Sequence, residues 1–292
     1  MDFSSVQSLA DAVLFEGYSL YPYRPSAIKN RQRWNFGTLY PECFSRAAAA
    51  NDAFRHQVEC LVAGTDANVC IEGQLRFLQT CPAGTGEASV SVRTLAIPPL
   101  FLSTLAGAEP IRRGDEWGLT IALAVTASPL DQPVWRLRLT CENLTPITAT
   151  ASRETALDAA LISAQVLLGV EGGEFFSLLN PPEGWRQAAG SCQNQGVFPV
   201  LAGLPGSDLR RGAFLLAAPI VLYDFARLAA ESAGDFFDNT EIDEMLALRV
   251  ATLTEEEKCE MRTDPRTRNV LARVEAMEQD AWERLHGRAD KK

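Results

Sequence analysis

Apolar residues return at helical spacing over residues 5–16, where Val6, Leu9, Ala10, Val13 and Leu14 share one face of a short amphipathic helix. The rhythm then changes to alternation. From about residue 54 to 146, five stretches read as strands: FRHQVECLVAG, NVCIEGQLRFLQ, EASVSVRTLAI, WGLTIALAVTA and VWRLRLTCENLTPI. In the last, Trp135, Leu137, Leu139 and Cys141 point one way, and Arg136, Arg138, Thr140 and Glu142 the other. That is the pattern of a sheet with one buried and one wet face. The runs AGTDAN, PAGTGE and SPLDQP supply turns between strands. Residues 158–178 predict a further strand pair turning at Glu171-Gly172-Gly173. QGVFPVLAG and GAFLLAAPIVLYDF read as two more buried strands, with Pro199 and Pro219 at ends, bulges or edges.

The end of the chain reads as helical. Asp238 with Glu241, and Thr254 with Glu257, fit capping boxes. Asp264 before Pro265 fits an N-cap and first helical position, followed by a stripe of Val270, Leu271, Val274 and Met277. The tail GRADKK is expected to fray. The whole pattern predicts an α+β fold: an antiparallel, β-sandwich-like body with an N-terminal arm and C-terminal helices. The divisions drawn are a helix and aromatic arm over 1–45, a β-rich body over 46–236 and a helical segment over 237–292, the last two forming one integrated domain.

Composition narrows the classes of function. The 292 residues carry a net charge of −10, which argues against general binding to nucleic acid. The seven cysteines form no CxxC pair and are odd in number, the usage of reduced thiols in a cytoplasmic protein. The first residues carry acids and lack the basic and long apolar regions of a signal peptide. No apolar run approaches a membrane span.

Against that acidic background, residues 17–41 stand out. GYSLYPYRPSAIKNRQRWNFGTLYP carries Arg24, Lys29, Arg31 and Arg33 with no acid, among Tyr18, Tyr21, Tyr23, Trp34, Phe36 and Tyr40. Such an island suits an anion, an acidic partner or a stacked ring, or else a solvated loop carrying core aromatics. A second island has the opposite sign: Asp224, Glu231, Asp235, Asp238, Glu241, Asp243 and Glu244 against Arg227 alone. Helix caps and solvated surface, a partner surface, or oxygen ligands for a hard cation all fit it. The two islands are expected to pack near each other.

Other chemistry finds little footing. His56 and His286 are the two histidines. On a strand, His56 and Cys60 share a face but stand about 13 Å apart, too far for direct proton transfer. Zinc-ligand pairs and phosphate loops are absent from the sequence, and no cofactor is implied. The sequon Asn143-Leu144-Thr145 reads as chance.

Three ordered segments resemble one uncharacterised bacterial family associated with nickel–iron hydrogenase gene clusters, particularly those of uptake enzymes. They are VLFEGYSLYPYRPSAIKNRQRW, FFSLLNPPEGWRQAAGSCQNQGVFPVLAG and APIVLYDFARLAAESAGDFFDNTEIDEMLALRVATLTEEEK, together about a third of the chain. The resemblance implies a non-enzymatic accessory protein for assembly or maturation, bound to a hydrogenase subunit or another assembly factor. Within it, Arg24, Lys29, Arg31, Arg33 and Trp34, with Tyr21 and Tyr23, would form the docking face or anion site. Asn180-Pro181-Pro182-Glu183 would form a rigid exposed turn. Asp224, Glu231, Ser232, Asp235, Asp238 and Glu241 would form the acidic end. The family is expected to carry a histidine near position 165, where this chain has Gln165, which cannot act as a base. The alternative reading is an enzyme or metal-binding protein that uses the acidic 224–244 cluster with the basic 24–33 segment.

Overall fold

The alternating strands stack into two antiparallel sheets because each has one apolar face to bury. The computed structural model describes residues 1–15, 37–47, 52–64, 69–81, 89–105, 111–131, 133–227, 250–263, 268, 271–272 and 274–276. The chain divides into two compact units, Met1–Leu14 with Phe36–Ala226, and Phe15–Asn35 with Arg227–Lys292.

In the first unit the strands are β1 (Arg55–Ala63), β2 (Cys70–Cys81), β3 (Ser89–Phe101), β4 (Ile111–Glu116), β5 (Leu119–Pro129) and β6 (Val134–Asn143), then β7 (Ile162–Glu171), β8 (Glu174–Phe176), β9 (Phe198–Ala202), β10 (Arg211–Gly212) and β11 (Phe214–Ala218). One sheet has the order β10-β8-β1-β6-β5-β4 and the other β3-β2-β7-β11-β9. This is the expected α+β, sandwich-like architecture. Between the sheets lie Val58, Cys60 and Val62 of β1, Leu75 and Phe77 of β2, Leu123 and Val125 of β5, Leu137 and Leu139 of β6, and Val166 and Leu168 of β7. Each such side chain contributes about 1.5–3 kcal/mol by leaving water.

The pleat of β6 follows its sequence. Leu137, Leu139 and Cys141 are buried, and Arg138 of the other face is exposed. Pro199 sits in β9, the edge strand, where its missing N–H costs no ladder bond. Pro219 falls just beyond β11.

β7 and β8 do not form the hairpin that Glu171-Gly172-Gly173 predicts. β7 pairs with β2 and β11, whereas β8 pairs with β1 and β10 in the opposite sheet. The turn carries the chain across the sandwich. Gly172 has φ +75°, and a Cβ on Gly173 would stand 2.5 Å from the Ala63 carbonyl oxygen. Both glycines are therefore needed for the close approach to β1. β7 is also buried on both faces except at Glu171, which explains its near-continuous apolar run.

The helix predicted at the start forms α1, Ser4–Phe15. Its Val6, Leu9, Ala10 and Val13 cover Leu167, Val200, Ala202, Leu216 and Ala218 on the outer face of the five-stranded sheet. Trp117, read from sequence as the start of a strand, instead lies in the turn before β5. Trp117 and Gly118 have φ of +59° and +73°, the backbone of a tight two-residue hairpin. Short helices at Glu42–Ala47 and Arg153–Asp158 were not legible as periodic segments, being only six residues each.

In the second unit the capping box at Thr254 is present. The Thr254 amide donates to Glu257 Oε2 at 3.0 Å, and the Glu257 amide to Thr254 Oγ1 at 3.3 Å. It opens the helix Glu255–Thr263, and Met261, Leu271 and Val274 are buried. Asp238, Asp264, Pro265, Val270 and Met277, also named from sequence, lie outside the described residues. Thr254→Ala should cost about 1 kcal/mol of local stability. Hydrogen exchange should show it as faster exchange of the first-turn amides of this helix, with β-sheet amides unchanged.

Candidate functional site

The outer face of the six-stranded sheet carries a flap formed by residues 177–196. Pro181 and Pro182 fix an extended entry, and the Trp185 amide then donates to the Pro182 carbonyl at 2.8 Å to start a helical turn. That turn runs from Glu183 to Trp185 and continues as a helix over Arg186–Gly190. Ala189 packs with Leu61, Ala63, Val134 and Phe176, and Trp185 and Cys192 pack against that cluster. Residues 193–195 then lie along the edge of β1 that β8 leaves free. The Gln57 amide donates to the Gln195 carbonyl at 3.1 Å, and the Gln195 amide to the Gln57 carbonyl at 2.9 Å.

A buried carboxylate locks the flap down. Glu59 is 1% exposed. Its Oε1 accepts from Arg138 Nε at 2.6 Å and Nη2 at 2.5 Å, and its Oε2 accepts from the Gln193 amide at 2.6 Å. The Glu59 amide donates to Asn194 Oδ1 at 2.8 Å. Nearby, Arg136 donates to Ser191 Oγ at 2.5 Å. Burial pushes the Cys192 thiol up to about 11, although the Arg136 charge opposes that shift. A thiol so raised stays protonated at neutral pH and is a poor nucleophile.

His56 pins the two sheets together. It is buried on the inner side of β1, and its imidazole hydrogen-bonds the Ala164 backbone of β7. Gly196 approaches so closely that a Cβ there would stand 2.5 Å from the ring. Burial pushes the His56 pKa down to about 4, outweighing the Ala164 contact, which acts in the opposite direction. The ring is therefore neutral near pH 7. Asn143 of the sequon is likewise structural. It is fully buried and donates to the carbonyls of Leu39 at 2.9 Å and Ala159 at 2.8 Å.

At one end of the sandwich, Asp224 ties several loops together. Its Oδ2 accepts from Ser177 Oγ at 2.5 Å, and its Oδ1 from the Leu201 amide at 2.8 Å. The Ser177 hydroxyl accepts from the Asn180 amide at 2.7 Å, and the Ser177 amide donates to the Arg210 carbonyl at 2.9 Å. The segments so joined expose Leu179, Phe198, Leu204, Leu209, Val221 and Tyr223, each between 47% and 78% accessible.

Of the acidic residues singled out from sequence, Asp224 is thus engaged in holding loops. Glu231, Ser232, Asp235, Asp238 and Glu241 lie outside the described residues, as do Tyr21, Tyr23, Arg24, Lys29, Arg31, Arg33 and Trp34. The expected pairing of the two islands therefore also falls outside them. Among the described residues, no group of three or more His, Cys, Asp or Glu side chains is placed to hold a metal ion. Also among these, no helix is long and apolar enough to cross a membrane.

Sequence reading missed Glu59 and Arg76. Each falls on the polar alternation of its strand and so reads as a solvated charge, leaving no signal of its burial. Arg76 is 2% exposed on β2, and its guanidinium meets Asp11 of α1.

The fold and these sites define an antiparallel β-sandwich whose two outer faces are covered by α1 and by the 177–196 flap. Comparison with known proteins finds no matching family model and no matching curated protein.

Proposed function

We propose that this protein is an accessory factor in the assembly or maturation of a nickel–iron uptake hydrogenase. It works in the cytoplasm by binding a hydrogenase subunit or another assembly factor. The observation that carries the binding role is the run of exposed apolar side chains over residues 179–223, Leu179, Phe198, Leu204, Leu209, Val221 and Tyr223, which flank and include the edge strand β9. Large apolar side chains left in water along one stretch of chain suit an interaction surface. Leu179 and Phe198 belong to the second segment of the family resemblance, and Val221 and Tyr223 to the third. The hydrogenase context rests on that resemblance.

The cationic aromatic arm supplies the second half of the proposed docking chemistry. Arg24, Lys29, Arg31 and Arg33 would steer an acidic partner, and Tyr21, Tyr23 and Trp34 would supply contact area.

Tagged protein expressed with a hydrogenase operon should co-purify with an operon product. Val221→Glu with Tyr223→Glu should reduce the captured partner at least about tenfold while stability stays within about 1 kcal/mol, because both side chains are exposed. Arg24→Glu, Arg31→Glu and Arg33→Glu together should slow capture and make it insensitive to salt. An unchanged yield of active hydrogenase on deletion of the gene would overturn the reading.

A further inference from the structure

Beneath α1, the outer face of the five-stranded sheet carries a pair of polar side chains where apolar ones are expected. Arg76 is 2% exposed and Gln165 0%. Arg76 and Gln165 stand directly opposite each other across β2 and β7. Such positions place their Cβ atoms about 5 Å apart. The two side chains nonetheless do not bond to each other. Arg76 Nε and Nη1 and Gln165 Oε1 have no hydrogen-bond partner.

The orientation of the Gln165 amide is fixed chemically. The Ala10 carbonyl of α1 can only accept, so Gln165 turns Nε2 toward it at 2.6 Å and leaves Oε1 without a donor. The Arg76 charge is met at Nη2 alone, by Asp11. That carboxylate is itself shared with Gln7 Nε2 at 3.1 Å, and its side chain is 49% exposed. A guanidinium at this depth ordinarily has its donors filled. The backbone is unusual at the same place. Ser163 and Ala164 oppose the single residue Phe77, a bulge in β7, and Ser163 has φ +53°. Bulges of this kind re-aim side chains beside functional sites.

The unfilled atoms on this face are thus donors on a cation and one amide acceptor. A halide satisfies only the cation, and a plain carboxylate leaves the amide oxygen unpaired. We propose that Arg76 and Gln165 hold a small monoanion that carries its own hydroxyl, the chemistry shared by bicarbonate and short 2-hydroxycarboxylates. Its anionic oxygens accept from Arg76 Nε and Nη1, and its hydroxyl donates to Gln165 Oε1. Asp11, the half-exposed member, marks the solvent side and competes with the anion for the guanidinium.

The test follows the Arg76 Nε–H resonance of the full chain by proton–nitrogen correlation spectroscopy. Bicarbonate, glycolate, acetate and chloride are titrated in turn at constant ionic strength. The resonance is assigned by its loss in Arg76→Lys, or by its displacement in Asp11→Asn. The expected result is a saturable shift with bicarbonate or glycolate at about tenfold lower concentration than with acetate. A response to bicarbonate alone identifies an inorganic ligand, and a response to glycolate an organic acid. Asp11→Asn should tighten binding about tenfold by removing the competing charge. Gln165→Leu should erase the preference over acetate, and if that variant does not fold, the Asp11→Asn titration stands in its place. No saturable shift in either the wild-type protein or Asp11→Asn would overturn the proposal and leave solvent as the partner of these atoms. An equal response to chloride would overturn it as well.

Discussion

Glu59→Ala should lower the stability of the protein by about 3 kcal/mol and release the 191–195 segment before the sheets open. Removing one member of a buried ion pair usually costs about 3–5 kcal/mol, because the remaining group loses its partner inside the protein. The lower end applies here, since Arg138 is 52% exposed and can recover water. The Gln193 amide also loses its 2.6 Å contact to Oε2, which adds to the cost and loosens the segment. Glu59→Gln should fall between, because its amide oxygen can still accept one of these bonds. Urea unfolding gives the stability loss. Hydrogen exchange separates the two stages: the Gln193 and Gln195 amides should exchange faster under conditions where β6 remains protected. If β6 and the flap lose protection together, Glu59 supports the sheet itself and the lock has been misplaced.

The second large effect is an acid limb set by His56. Its folded-state pKa lies near 4, below the ordinary value of 6.5. Between these values the unfolded chain binds a proton that the folded protein refuses. The stability due to the neutral buried ring is therefore complete above about pH 6.5 and declines as pH falls toward 4. Each unit of pH in that window costs about 1.4 kcal/mol, or about 3 kcal/mol in total. His56→Gln cannot titrate, yet it can still donate to the Ala164 backbone. Its stability should change less between pH 7.5 and pH 5 than that of the wild-type protein, by about 2 kcal/mol. Carboxylates common to both proteins cancel in that difference. Matching urea midpoints at both pH values would show that the imidazole titrates normally and is not held between the sheets.

These two residues show where sequence reading reached and where it stopped. His56 and Cys60 were placed on one face of β1 by a count of residues, and the structure puts both on the inner side. The same count gave no hint that the imidazole would meet Ala164 on the opposite sheet. Glu59 reads in sequence as an ordinary solvated position on the wet face. It is buried because Arg138 pairs with it across β1 and β6, and because Gln193, 134 residues away in sequence, lies over it. Nor could the exposure of Leu179, Phe198 and Tyr223 be read, since such residues look like core and only long-range packing leaves them in water.

Sequence alone determined what depends on near neighbours. These features are the alternating faces of β6, the apolar stripe of α1 and the Thr254 capping box. Each follows from a side chain's direction relative to the next few residues, which the period of strand or helix fixes. Tertiary structure alone decided what covers each face and which strands meet. It sent β7 and β8 into different sheets, laid the 177–196 flap on β1, and put Arg76 beneath α1. The reason is physical: a polar side chain reads the same whether water or another segment lies above it, and only long-range packing makes that choice.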